Sequence, residues 1–202
     1  MDYVVITPEQ FEVSDWSGGS TTQLYIDPAG DDFKKRQFAI RLSSATFTST
    51  GSTFSDFSGY QRMIFPLVGS LSVDHSDQGK PLYARQLKPY EIENFSGSWT
   101  TESTNTEDCV DFNLITRDDL VSHTTVLCEA ADYAPHHAGT LLLYSRSAFS
   151  VEAKEKKSEE TTQVSVDKGC LLKITESAIL YHLHITPGDE PVVIGEVSAV
   201  EE

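Results

Sequence analysis

"QFAIRLSSATFT", residues 37–48, alternates with a period of two: Phe38, Ile40 and Leu42 share one face of an extended chain, and Ala39, Arg41 and Ser43 share the other. Read as a strand, it leaves Arg41 either in water or in a cavity. The flanking runs read the same way. "TTQLYIDPAGDD", residues 21–32, is β-prone up to a turn at Asp27, Pro28 and Gly30, and "RMIFPLVG", residues 62–69, is an apolar strand disturbed by Pro66. "SLSVDHSDQGKPLYARQL", residues 70–87, is a hairpin whose turn lies between Asp77 and Pro81.

A second β set starts near "CVDFNLITRDD", residues 109–119, and runs through "GTLLLYSRSAFSVEA" to "AILYHLHITPGDEPVVIGEVSAV", residues 178–200. Between its strands, "KEKKSEETT", residues 154–162, is too charged for a core and reads as an exposed connection or a distorted helix. Helical recurrence is weak throughout, and strands do not alternate with helices, so the chain is expected to be all-β, an antiparallel barrel or sandwich. Two halves are expected, residues 1–110 and 111–202, with the first and last strands free to cross between them.

Composition narrows the partners. The 202 residues carry 31 acidic and 15 basic side chains, a formal charge of −16, and the excess is spread along the chain instead of forming a tail. Such a surface offers nucleic acid or anionic membrane no basic footprint, while a few local arginines can still dominate inside a pocket. No basic N-terminal region leads into an apolar segment, so a cytoplasmic protein is the expectation. Cys109, Cys128 and Cys170 lack metal-ligand spacing and read as indifferent thiols.

Several stretches can carry chemistry, each with a structural reading beside the functional one. In "WSGGSTTQLYI", residues 16–26, Gly18 and Gly19 permit a tight connection, with Trp16 either a pocket wall or a hinge. In "GSTFSDFSGYQRMIFPLVG", residues 51–69, Gly51 and Gly59 bracket a compact aromatic loop, and Arg62 either pairs with Asp56 or holds an anionic ligand through its planar donors. Asp111 and Asn113 alternate with Phe112 and Leu114, so they share a face that either completes a polar cavity or satisfies backbone groups at a strand end. His182 and His184 in "YHLHI" have the spacing of paired metal ligands, but Gly188 stands where an acidic ligand would follow, and no metal or other cofactor is expected. No Ser/His/Asp or Cys/His constellation makes covalent catalysis compelling.

The blocks "WSGGSTTQLYI", "FAIRLSSA", "FSDFSGYQRMIFPLVG", "NFSGSW" and "DFNLITR" resemble, in order and spacing, the HutD/Ves family of the cupin superfamily. The resemblance implies a bicupin, two closely packed antiparallel β-barrel halves, and a link to histidine or other amino-acid utilisation. It maps onto Trp16, Gly18 and Gly19; onto Arg41, Ser43 and Ala45; onto Phe57, Gly59 and Arg62; and onto Phe95, Gly97, Asp111 and Asn113. Many relatives carry Asn and a third Gly in the first block, where this chain reads Ser17-Gly18-Gly19-Ser20. Strand placement and resemblance together give an expected ligand set of Trp16, Arg41, Phe57, Arg62, Asp111 and Asn113, on a glycine framework of Gly18, Gly19, Gly59 and Gly97. The expected partner is a small polar or anionic metabolite; sheet edges and barrel faces that need cover leave room for a homodimer, but the sequence does not specify the assembly. A cupin-type isomerase or lyase and a noncatalytic regulatory or scaffold protein are the alternatives.

Overall fold

The computed structural model describes residues 1–158, 160–175 and 180–200. It is all-β, and its chain divides into a continuous unit, Phe11–Asp118, and a composite unit, Met1–Gln10 with Asp119–Glu202.

In the continuous unit, β2 (Glu12–Trp16), β3 (Gly19–Asp27), β4 (Ile40–Phe47), β6 (Tyr60–Val68), β9 (Glu93–Ser96) and β11 (Val110–Arg117) form one sheet, ordered β2-β3-β4-β11-β6-β9. The other contains β5 (Gly51–Thr53), β7 (Leu71–Asp77), β8 (Lys80–Leu87) and β10 (Thr100–Asn105), ordered β5-β10-β7-β8. β7 and β8 are joined by Gln78 and Gly79, both at positive φ (48° and 77°), the two-residue connection that matches the twist of paired strands. Ile64 and Phe95 from the six-stranded sheet pack on Leu71, Val73 and Leu87 from the four-stranded one. Each such side chain, fully buried, contributes about 1.5–3 kcal/mol relative to exposure.

The composite unit repeats the two-layer plan. β1 (Tyr3–Ile6), β12 (Leu120–Leu127), β14 (Gly139–Tyr144), β17 (Leu171–Ile174) and β19 (Val192–Ala199) form a sheet ordered β1-β17-β14-β19-β12. β13 (Ala131–Tyr133), β15 (Phe149–Glu155), β16 (Thr161–Val166) and β18 (Tyr181–Thr186) form the other, ordered β13-β18-β15-β16. Leu141, Leu143, Leu172 and Ile194 meet Val151, Ala153, Leu183 and Ile185 in its core.

The expected pair of closed barrels is not what forms. Among the described residues, all four sheets are open, ending at β2 and β9, β5 and β8, β1 and β12, and β13 and β16, and no hydrogen-bonded ladder joins the last strand of a sheet to its first. Alternation tells which face a strand buries, but closure depends on tilt and stagger across the whole sheet, which alternation does not encode. The acidic-basic connection is a turn: β15 continues to Glu155 and the chain turns over residues 156–158, with residue 159 outside the described set. Ala178 and Ile179, read as the start of the "YHLHI" strand, also lie outside it, and β18 begins at Tyr181.

Two glycines allow close packing around the aromatic loop and the entry hairpin. A Cβ on Gly97 would lie 2.3 Å from the Phe57 carbonyl oxygen, and one on Gly18 would lie 2.1 Å from the Trp16 ring. Gly19 opens β3, and Gly59 immediately precedes β6. Gly97→Ala is expected to cost about 1–3 kcal/mol through overpacking, read as a lower midpoint in urea unfolding; an unchanged midpoint would mean that the Phe57 loop yields without cost.

Candidate functional site

The six-stranded sheet turns an unusual face toward the interior of the continuous unit. Ile115 on β11 is registered with Arg41 on β4 and Arg62 on β6, so two arginines flank one isoleucine across three adjacent strands. One step along, Asn113 lies between Ser43 and Ile64. Strands in a sheet are about 4.8 Å apart, which puts the two arginine backbones roughly 10 Å from each other and lets their side chains reach into one space.

That space is a cavity of about 370 Å³. Trp16, Arg41, Phe57, Arg62, Asp111 and Asn113 all line it. Its deep wall is buried and polar, with Arg41, Arg62 and Asp111 each 5 % exposed and Asn113 9 %. Its rim is built from Trp16, Asp15 and Lys34 together with Phe33, Phe47 and Phe54. Sequence reading missed Phe33 and Lys34, which belong to a short 3-10 turn capped by Asp32.

Each guanidinium is held chiefly by neutral groups. Arg41 donates from Nε to Gln23 Oε1 (2.9 Å) and from Nη1 to Ser43 Oγ (3.3 Å), and its Cζ lies 4.4 Å from the Phe33 ring centroid. The Arg62 Cζ sits among three rings, 4.7 Å from Phe54, 5.0 Å from Phe95 and 5.5 Å from Phe57. Cation–π contacts of this kind stabilise a desolvated cation by about 2 kcal/mol, yet the buried Arg62 Nε has no hydrogen-bond partner. Of the two readings of Arg62, pairing with Asp56 is not the one seen: Asp56 accepts from the Ser58 backbone and hydroxyl, and Arg36 reaches the Asp56 carbonyl and stacks 3.7 Å from the Phe57 ring centroid.

Asp111 is the buried carboxyl of the cavity. The register of β11 with β4 skips from Val110↔Thr46 to Asn113↔Ser43, and the Ala45 N–H in the gap donates to Asp111 Oδ1 at 2.7 Å. Burial pushes the Asp111 carboxyl up to about 7, against the opposing pull of the Ala45 N–H, Arg62 and Arg41. Burial likewise lowers both arginines to about 10, so both stay cationic at neutral pH. The Asn113 Oδ1 is buried and has no hydrogen-bond partner.

The histidines lie elsewhere. His182 and His184 alternate with the core residues of β18 and face outward, and His184 Nδ1 lies 2.7 Å from Asp132 Oδ1 at the surface. Among the described residues, no group of three or more His, Cys, Asp or Glu side chains is placed to hold a metal ion. Also missed was Glu196, a buried carboxylate on β19. Its Oε1 accepts from the His136 and His137 backbones (2.8 and 2.9 Å), and its Oε2 accepts from the Tyr133 hydroxyl (2.6 Å) and lies 3.0 Å from His136 Nδ1. A glutamate in phase with Val192 and Ile194 on an inward face was the available signal.

A family model described as HutD matches residues 8–186. A conserved protein of unknown function from Pseudomonas aeruginosa PAO1 superposes with a TM-score of 0.79 at 22% identity, over 98% of this chain and 100% of that one. HutD from Pseudomonas fluorescens SBW25, solved in a formate condition, gives 0.75 at 21% identity, over 99% and 100%. The oxalate decarboxylase of Lactobacillus farciminis, solved as its formate complex, shares the fold at a TM-score of 0.63 and 9% identity, over 96% of this chain and 85% of that one. No curated protein matches. Among the described residues, no helix is long and apolar enough to cross a membrane.

A carboxyl raised in the folded state binds protons there that it releases when unfolded, between its unfolded value near 4 and its folded value of about 7. Stability from Asp111 is therefore present below that window and lost as pH rises through it. Relative to Asp111→Asn, the wild type is expected to lose about 1 kcal/mol per pH unit between pH 5 and 7, measured by urea unfolding; parallel profiles for the two proteins would contradict the raised carboxyl.

Proposed function

This chain belongs to the HutD family, and on that premise we propose that it binds a small polar or anionic metabolite, foremost a carboxylate, in the hollow of its continuous unit. The observation that carries the reading is the buried pair Arg41 and Arg62, lining one cavity with no carboxylate ion-paired to either among the described residues. Buried guanidiniums without a close ion pair are costly, and an entering carboxylate supplies the direct contact that Asp111, which attracts both arginines without ion-pairing to either, does not. The cavity also weighs against a scaffold whose interior is filled by side chains. The metabolite, on this reading, belongs to the utilisation of histidine or other amino acids.

Titration calorimetry with formate, larger carboxylates and histidine-pathway intermediates tests the reading. Arg62→Ala is expected to weaken the best carboxylate by roughly 10- to 100-fold, the worth of one or two charge-assisted hydrogen bonds. Unchanged affinity would remove Arg62 from the contacts, and no binding by any carboxylate would overturn the reading.

Binding is also expected to tighten by about tenfold from pH 8 to pH 6. Protonation of Asp111 removes the negative charge that competes for Arg41 and Arg62, while both arginines stay cationic; Lys34 and Asp15 also line the hollow, and Arg36 lies beside it. Affinity that is flat or falls over this range would show that Asp111 does not face the bound anion.

A further inference from the structure

Two buried groups in the cavity make opposite demands. The Arg62 Nε–H lacks an acceptor, and the Asn113 Oδ1 lacks a donor. Asp111, two residues along β11 from Asn113, adds a carboxyl whose only hydrogen bond among the described residues is the one from Ala45 to Oδ1. Residues i and i+2 of a strand project to the same side about 7 Å apart, so the Asp111 and Asn113 acceptors stand together beside the row that carries the guanidiniums.

A bare carboxylate answers only half of this arrangement. It would satisfy Arg41 and Arg62, but it would bring a negative charge toward Asp111 and leave Asn113 Oδ1 desolvated and empty. An unpaired buried acceptor is a standing cost, and like charges in a poorly solvated hollow repel. A ligand that carries its own donor relieves both faults, because an N–H or O–H between the two anions bonds to one acceptor and screens the other.

We infer that the occupant is a carboxylate bearing an N–H or O–H donor a few bonds from its carboxyl group, with the carboxylate taken by Arg41 and Arg62 and the donor by Asp111 and Asn113. The inference rests on the carboxylate reading above and goes further by naming the second functional group. Without that group, the hollow would be a general anion site. With it, the site discriminates among acids of one size, since a position built to bond a polar hydrogen rejects the analogue that lacks it.

Matched acids separate the alternatives: glycolate against acetate, and 3-hydroxybutyrate against butyrate, titrated calorimetrically at pH 8 into the wild type, Asp111→Asn and Asn113→Leu. The wild type is expected to prefer at least one hydroxy acid over its plain partner by roughly tenfold or more, the effect of one bond to a charged acceptor. Asn113→Leu should reduce that preference to within about threefold while butyrate still binds. Asp111→Asn, which keeps the shape of the side chain, should strengthen plain butyrate by several-fold. Equal wild-type affinities within both pairs would overturn the inference and leave the carboxylate site standing, whereas failure of these four acids together with every carboxylate of the wider panel would overturn both. A folded Asn113→Leu variant that keeps the full preference would remove Asn113 from the donor contact.

Discussion

Two guanidiniums buried on one face of one sheet set the terms for the rest of the continuous unit. Taking such a cation out of water costs several kcal/mol even after relaxation, and a protein commonly answers with a carboxylate at hydrogen-bond distance. Here Arg41 leans on an amide, a hydroxyl and a ring, while Arg62 leans on three rings. Aromatic faces lower the electrostatic cost of a cation without using up its N–H groups. Both arginines can therefore stay buried and still have donors to offer.

The aromatic loop and the glycines follow from that arrangement. Phe54 and Phe57 can flank Arg62 only if the chain between Thr53 and Tyr60 folds tightly over β6, and Gly97 lets the Phe57 backbone come close. Arg36 then ties the loop to the 3-10 turn by stacking on Phe57 and donating to the Asp56 carbonyl. Arg36, Arg41 and Arg62 make a concentrated positive region within a chain of net charge −16. The overall field opposes an approaching anion while the hollow attracts it. Added salt screens the long-range repulsion more than the short contacts, so moderate ionic strength should hinder this kind of site less than it hinders one on a uniformly basic protein.

What the sequence disclosed follows the reach of its signals. Period-two alternation in residues 37–48 and 110–117 is local, and it put Arg41 with Ser43 and Asp111 with Asn113 on shared faces. The meeting of β4, β11 and β6 in one register is a long-range event; the matched family blocks implied a common site, but no local pattern could. Sheet closure was the wrong expectation for the same reason, since open and closed sheets share the same alternation. Phe33 and Lys34 were invisible because a short polar connection gives no sign of folding back over a cavity. Glu196 was visible in principle, as a charge on an apolar inward face, but its meaning lay in Tyr133, His136 and His137, some 60 residues away.

Glu196 also clarifies why the ligand argument belongs to the continuous unit. Both sites bury a carboxyl on an inward strand face, and both border a cavity, the one beside Glu196 being about 250 Å³. The Glu196 carboxylate has two partners on each oxygen, and those hydrogen bonds hold it below the usual carboxylate range despite burial, which acts the other way. Its demand is met by the protein, and a saturated anion of this kind stabilises a loop more readily than it recruits a guest. Around Asp111 the balance is reversed: one backbone donor, a carboxyl raised to about 7, and unmet groups on Arg62 and Asn113 nearby. Burial by itself does not distinguish a binding site from a structural one; unspent hydrogen-bonding capacity around the buried charge does.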